Sequence, residues 1–292
     1  MRSMPAPLIA VTGATGVVGG LAAARLAERG NPLRLVVRDP ARAPDLPGAD
    51  VRRAAGYGDL EAMRAALAGA DTLLLVPAEE SLDRVHQHRT AVDAAVAAGV
   101  RRIVYISFIG AAPDATFTLA RDHWATEEHI RAAGVEWTFL RMNLYLDFIP
   151  SMVLPSGVLA GPAGDGRTAA VARSDLAEVA VAVLLDDRRE AAVLDVTGGR
   201  AFTLAEAAAE LSELSGRSVV YRDETFAEAR ASRAGYGAPD WQVEAWISTY
   251  AAIAAGELDV VSDTVARLAG HTPSTLADYV RAHPESVAHV AG

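Results

Sequence analysis

The chain contains no cysteine and no lysine; all 27 of its basic residues are arginine. Without cysteine there is no disulfide framework, no thiolate metal site and no catalytic thiol. Without lysine there is no Schiff-base chemistry and no lysine general base. Long apolar runs are also missing. The stretch Val179 to Leu185 stands behind Glu178 and falls far short of the ~18 residues that span a bilayer. The N-terminus lacks a basic region, apolar stretch and cleavage site in the order a secretory signal needs. Positive charge is in deficit, at 37 acidic against 27 basic residues and a net charge of −10, which argues against a nucleic-acid surface. A cytoplasmic protein, with no membrane and no nucleic acid as partner, is the expectation.

What is present is an ordinary globular composition, 51% hydrophobic and 22% charged over 292 residues. The first half alternates. Short apolar runs at Leu8–Thr12, Leu33–Val37, Thr72–Val76, Arg102–Ser107 and Trp137–Arg141 predict buried strands. Helical spacing covers Val17–Arg29, Leu60–Ala68, Leu82–Ala98 and Asp122–Ala133, with stops at Gly30, Gly99 and Gly134. Strand–helix alternation of this kind implies βαβ units, and strands apolar on both faces imply a parallel sheet covered on both sides. The expected fold class is α/β: a doubly wound, Rossmann-like parallel sheet with a small C-terminal α/β substrate subdomain. The division is expected at 1–150 and 151–292, with the sheet open to completion by later strands.

Past Tyr145 the rhythm breaks. Pro150, Pro155, Gly157, Gly161, Pro162, Gly164 and Gly166 read as a loop or lid with a short hairpin. Helices are expected at Ser174–Leu185, capped by Ser174, and at Thr203–Ser215, where Thr203 and Glu206 have capping-box spacing. Strands are expected at Ala192–Thr197 and Ser218–Arg222. The chain from Glu228 to its end reads as mostly helical.

The sharpest motif is Val11-Thr12-Gly13-Ala14-Thr15-Gly16-Val17-Val18-Gly19, between a strand and a helix. Gly13 permits a tight turn, Gly16 lets backbone approach a pyrophosphate, and Gly19 lets the helix pack close to the sheet. The phosphates then face N–H groups at the positive end of the helix dipole. The second strand ends Val36-Val37-Arg38-Asp39-Pro40-Ala41-Arg42. An acidic residue at that place holds a ribose 2′-hydroxyl, whereas arginine accommodates a 2′-phosphate, so Arg38 and Arg42 favour NADP(H) over NAD(H) and Asp39 leaves NAD open. Asp59 is a candidate for the adenine amino group and equally for the cap of its own helix.

These motifs carry a resemblance. Gly-Ala-Thr-Gly-x-x-Gly, Val-Arg-Asp-Pro and Gly99-Val-Arg-Arg-Ile-Val-Tyr-Ile-Ser107 resemble the NmrA-like atypical short-chain dehydrogenase/reductases. The segments Leu119-Ala-Arg-Asp-His123-Trp-Ala-Thr-Glu127 and Trp137-Thr-Phe-Leu-Arg-Met-Asn143-Leu-Tyr145 are more telling. They resemble the branch of triphenylmethane reductase and type 2 quinone oxidoreductase, and Val171–Ala177 with Val196-Thr197-Gly198 fits the same branch. The resemblance implies NADPH-dependent transfer of hydride to a quinone-like or other conjugated small-molecule acceptor, in a monomer or homodimer. It also implies cofactor contacts from Thr15, Val17, Pro77, Ser107, His123 and Asn143, and catalytic places for Ser107, His123 and Tyr145. Two alternatives stand beside it: a non-catalytic NADP(H)-sensing regulator, and a non-redox cyclase or isomerase on the same scaffold.

The sequence departs from the family at one decisive point. The tyrosine and lysine of typical short-chain dehydrogenases fall on Leu119 and His123. That weakens alcohol–ketone chemistry, which needs a proton at oxygen. It weakens reduction of quinones or cationic dyes much less. His123 could bind ribose, orient the nicotinamide amide, act as a weak acid, or simply pair with Glu127 four residues along the helix. Asn143 stands one place after the usual asparagine. His86 and His88, two apart on a helix, do not share a face, which argues against a metal site. Tyr236, Trp241, Trp246 and Tyr250 are candidates to line a flat pocket, or core.

Overall fold

The computed structural model describes residues 6–189 and 191–290. In chain order the strands are β1 (Ile9–Thr12), β2 (Leu33–Val37), β3 (Asp50–Arg53), β4 (Thr72–Leu75), β5 (Arg102–Phe108), β6 (Glu136–Met142), β7 (Val158–Gly161), β8 (Arg167–Thr168), β9 (Ala192–Val196), β10 (Phe202–Thr203) and β11 (Val220–Asp223). The helices are α1 (Val17–Glu28), α2 (Leu60–Leu67), α3 (Arg84–Ala97), α4 (Thr118–Ala132), α5 (Arg173–Leu184), α6 (Leu204–Ser215), α7 (Phe226–Arg233), α8 (Asp240–Ala254), α9 (Thr264–Ala269) and α10 (Leu276–Ala282). No helix among the described residues is long and apolar enough to cross a membrane.

Two compact units interleave along the chain. The first comprises Met1–Phe108, Asp122–Arg141 and Leu176–Leu194; the second comprises Ile109–Arg121, Met142–Asp175 and Asp195–Gly292. The expected break near residue 150 is therefore a series of crossings.

The first unit is built on a seven-stranded sheet in the order β3-β2-β1-β4-β5-β6-β9. Parallel pairing joins β3, β2, β1, β4 and β5, with Val11 opposite Leu35 and Leu74. The order reverses direction between β1 and β4, which is where doubly wound sheets open a ligand crevice. Alternation explains the two-sided burial. Leu73, Leu75, Ile103 and Tyr105 pack with Met63, Leu67, Val92 and Ala95 of α2 and α3 into one cluster. Leu74 and Val104, pointing the other way, are equally buried. Burying each such leucine contributes about 1.5–3 kcal/mol. β3 escapes the sequence reading because Asp50-Val51-Arg52-Arg53 has no apolar alternation; it is an edge strand, largely exposed.

The second unit holds a parallel pair, β7 with β11, and an antiparallel pair, β8 with β10. The expected lid is here a packed segment. Val153 and Leu159 form an isolated antiparallel bridge around the Leu154–Gly157 turn, a minimal form of the expected hairpin, and β7 then runs on beside β11. Gly157, Gly161 and Gly166 serve close approach. A Cβ on Gly161 would sit 2.1 Å from the Tyr250 ring, and one on Gly166 2.2 Å from the Ile253 carbonyl oxygen. Tyr250 is accordingly core, as is Val243 with partly buried Trp246, while Tyr236 is exposed and meets the Trp246 ring at 6.4 Å between centroids.

Other boundaries shift for local reasons. α4 begins at Thr118 rather than Asp122, because Ser248 Oγ accepts from the Thr118 N–H at 3.1 Å, a cap supplied from distant sequence. α5 begins at Arg173, so Ser174 lies inside the first turn. The Thr203–Glu206 capping box forms in full, with both bonds at 3.0 Å. The stretch after Glu228 is helical in α7 to α10 but breaks between them, and its final two residues lie outside the described residues.

Candidate functional site

β1 delivers Thr12 to the sheet edge, where its hydroxyl donates to the Leu74 carbonyl (3.2 Å) and accepts from the Val76 N–H (3.0 Å). That staple fixes the departure of the glycine loop beside the end of β4. Gly13 takes φ +63°, and a Cβ there would meet Val76 Cβ at 2.9 Å, so only glycine fits. The Gly16 N–H donates to the Gly13 carbonyl at 2.9 Å. Gly16 is the N-cap of α1, carries no side-chain cap, and has extended backbone. Thr15, Gly16 and Val17 are all exposed, Val17 by 53%. Gly19 brings α1 onto the loop: a Cβ there would lie 2.4 Å from the Gly13 oxygen. An uncapped helix start with exposed backbone, no acidic residue in its first turn and no side chain over Gly16 fits a bound pyrophosphate.

Arg38 follows β2 directly and pairs with Glu79 at 2.7 Å; both side chains are well exposed. Arg53, opposite Val37 in register, brings a second guanidinium to this edge, its Nε donating to the Arg38 carbonyl at 3.4 Å. Asp39 caps the short 3-10 turn Pro40–Arg42 by accepting from the Ala41 N–H at 3.0 Å, so its carboxylate serves the backbone. Asp59 likewise caps α2 through the Ala62 N–H at 3.0 Å. Pro77 lies two residues past β4 and is half-buried.

Ser107 and His123 belong to one buried ladder. Tyr105 and Ser107, two apart on β5, point to one face; His123 and Glu127, four apart on α4, point back. The rises match, about 6.6 Å along the strand and about 6 Å along the helix. Tyr105 Oη and His123 Nδ1 share a hydrogen bond of 2.9 Å, and Ser107 Oγ donates to Glu127 Oε1 at 2.6 Å. Glu127 is fully buried and carries three cationic contacts: Arg141 Nε at 2.9 Å, Arg141 Nη2 at 2.7 Å and Arg131 Nη2 at 3.2 Å. His123 therefore pairs with Tyr105 and not with Glu127. Burial, then the neighbouring Arg84, His88 and Arg141, hold the His123 imidazole well below its ordinary pKa, so it is neutral near pH 7 and is no imidazolium acid. Burial raises the Tyr105 phenol, which keeps its proton. Ser107 has its proton committed to Glu127 and is left as an acceptor.

Asn143 and Tyr145 lie in the second unit. Asn143 Nδ2 donates to the Leu258 carbonyl (2.9 Å), and its Oδ1 accepts from the Leu144 N–H (2.8 Å) and Thr168 Oγ1 (2.9 Å), so the amide ties together three stretches of that unit. The Arg173 guanidinium stacks over the Tyr145 ring at 4.3 Å and pairs with Asp147 at 2.6 Å.

The family described as NAD(P)H-binding matches residues 13–187. The chain belongs to that family. Quinone oxidoreductase 2 of Escherichia coli (strain K12) is 35% identical over 279 residues, covering 94% of this chain and 97% of its own. The crystal structure of an Escherichia coli NADPH-dependent quinone oxidoreductase complexed with NADPH superposes with a TM-score of 0.86 at 35% identity, over 94% of this chain and 99% of that one. That of Citrobacter sp. triphenylmethane reductase complexed with NADP(H) gives 0.84 at 32% identity, over 94% and 99%. The doubly wound fold and the relationship read from the glycine loop and from Leu119–Tyr145 are thus established.

As an NAD(P)H-binding protein the chain shows two residues the sequence reading passed over, Tyr105 and Arg141, and two it placed differently, Glu127 and His88. Tyr105, Glu127 and Arg141 complete the ladder with Ser107 and His123; period-two and period-four spacing could have exposed Tyr105 and Glu127, whereas nothing local points to Arg141. His88, set aside as a failed metal ligand, is fully buried: its Nε2 accepts from the Ala78 N–H at 2.9 Å and its Nδ1 bonds Thr126 Oγ1 at 2.8 Å.

Proposed function

We propose that the protein is an NADPH-dependent oxidoreductase that passes hydride to a quinone-like or other conjugated small-molecule acceptor. The observation that carries this is the proton inventory of the ladder. Ser107 donates inward to Glu127, His123 is neutral, and Leu119 stands where a tyrosine acid would be. Such a site suits an acceptor that spreads the added charge over a conjugated system and takes its proton from water. The names of the two relatives, a quinone oxidoreductase and a triphenylmethane reductase, agree with that chemistry.

Bound NADPH supplies the hydride. Gly13, Thr15, Gly16 and Val17 offer backbone to the pyrophosphate, and Arg38 with Arg53 offers guanidinium to the 2′-phosphate. Asp59 and Pro77 are assigned to the adenosine side. Ser107, as an acceptor, and His123 are assigned to hold the nicotinamide end. Asn143 shapes the second unit through its backbone bonds, and Tyr145 offers an aromatic face to a flat acceptor. Catalysis then rests on positioning rather than on acid–base relay.

The test is loss of nicotinamide absorbance when the protein meets NADPH with a panel of quinones and triarylmethane dyes, with NADH in parallel. Turnover with NADPH above NADH is expected. Saturable NADPH binding with no turnover on any acceptor would refute the reductase and return the reading to a regulator or non-redox enzyme.

A further inference from the structure

The two strands flanking β1 are joined across the edge where the glycine loop leaves the sheet. Arg38, at the end of β2, reaches Glu79, beyond the end of β4, with Nη2 to Oε1 at 2.7 Å. Glu79 is not carried by a loose loop. The preceding residue, Ala78, is clamped on both polar groups by α3: its N–H donates to His88 Nε2 at 2.9 Å and its carbonyl accepts from Arg84 Nε at 3.1 Å. Both clamping side chains are buried. His88 also bonds Thr126 of α4, which in turn donates to the Asp122 carbonyl at 2.8 Å. Neither end of the ion pair is therefore placed by chance: one is set by a central strand and the other by a buried histidine and arginine.

We infer that Glu79 is a positioning residue for cofactor selection, holding Arg38 across the adenosine side until a 2′-phosphate takes its place. This rests on the assignment of Arg38 to the 2′-phosphate. A nucleotide bearing that dianion exchanges one partner of Arg38 for a more highly charged one. A nucleotide with a plain 2′-hydroxyl makes no such demand on Arg38, so the pair stays closed. Glu79 thus competes with the 2′-phosphate alone and tempers the preference that Arg38 confers. Removing the carboxylate frees Arg38 in advance, and only a ligand that uses Arg38 gains.

The experiment is isothermal titration of the full chain with 2′,5′-ADP and with 5′-ADP, fragments that report binding without hydride transfer. In Glu79→Gln the affinity for 2′,5′-ADP is expected to rise about two- to five-fold, the range of an exposed ion pair, and that for 5′-ADP to stay as it was. In an Arg38→Ala background the same Glu79→Gln change should have no effect on either. Unchanged or weaker 2′,5′-ADP binding in Glu79→Gln, an equal gain for 5′-ADP, or a gain that persists without Arg38 each overturns the inference. Arg38→Ala alone reports separately on the underlying assignment. If it leaves the preference for 2′,5′-ADP intact, Arg38 is not the phosphate ligand, and the role of Glu79 falls with it.

Discussion

Lowering the pH tests the buried histidines of the first unit directly. His88 accepts from the Ala78 N–H on Nε2, so its one proton sits on Nδ1 and faces Thr126. A second proton would break the Ala78 bond and place a charge in a buried site beside Arg84. Desolvation, with Arg84 second, pushes His88 down to about 3, and His123 lies well below its ordinary value for the same leading cause. In the unfolded chain both titrate near ~6.5. Below that pH the unfolded state binds protons that the native state refuses. The stabilisation is complete above ~6.5 and is lost as pH falls, for His88 down to about 3. At pH 5 His88 costs about 2 kcal/mol relative to pH 8, against a usual total of 5–15 kcal/mol, and His123 adds to the loss in the same direction. Calorimetric unfolding at pH 5 in buffers of differing ionisation enthalpy counts the protons taken up. His88→Asn and His123→Asn should each remove about one proton from that count, and the double variant about two. If His88→Asn does not fold, His123→Asn makes the same test on its own. A proton count unchanged by either substitution would refute the reasoning, because it would mean that the histidine is already charged in the native fold.

Three further outcomes follow from contacts in the first unit. Glu127→Ala leaves Arg141 and Ser107 without their buried partner and should lower stability in urea by about 3–5 kcal/mol; a loss below about 1 kcal/mol would show that water replaces the carboxylate easily. Gly19→Ala drives a Cβ to 2.4 Å from a backbone oxygen, so NADPH affinity read by fluorescence titration should fall about tenfold or more, and unchanged affinity would detach the loop from the cofactor. With a quinone acceptor, kcat should be flat from about pH 6.5 to 9, since His123 is held neutral and Tyr105 protonated across that span; a break near neutral pH would reveal an acid that the ladder does not contain.

The parts legible in the sequence are those set by local rules. The glycine loop declares its turn, its helix and its ligand because each glycine answers a backbone demand at fixed spacing. The Thr203–Glu206 box is legible for the same reason. β3 was not, because an exposed edge strand needs no apolar alternation to pair. Nor was the start of α4, whose cap comes from Ser248. The proline- and glycine-rich stretch after Pro150 misleads in a more instructive way. Glycine signals freedom only where space surrounds it, and at Gly161 and Gly166 the space is filled by Tyr250 and by the Ile253 backbone. Sequence records the absence of a Cβ but not what stands in its place.

The same distinction governs the candidate site. From sequence, Ser107 and His123 are polar residues at places where the family does chemistry, and they invite a catalytic reading, with Glu127 entering only as a partner for His123. In the fold their polar atoms are turned to one another's elements: β5 and α4 are held together by Tyr105 with His123 and by Ser107 with Glu127. Arg141, at the end of β6, closes the second rung. A rung of this kind exchanges a proton with substrate only by giving up a buried bond, and for Glu127 by exposing an unpaired charge to a dry interior. Leucine at 119 and the inward commitment of Ser107 thus point the same way. Polar groups that could have relayed protons instead fix the helix on the strand. On the function proposed for it, such a site offers rigid placement of a dinucleotide, which is enough for an acceptor whose proton comes from water and too little for one that must be protonated as it is reduced.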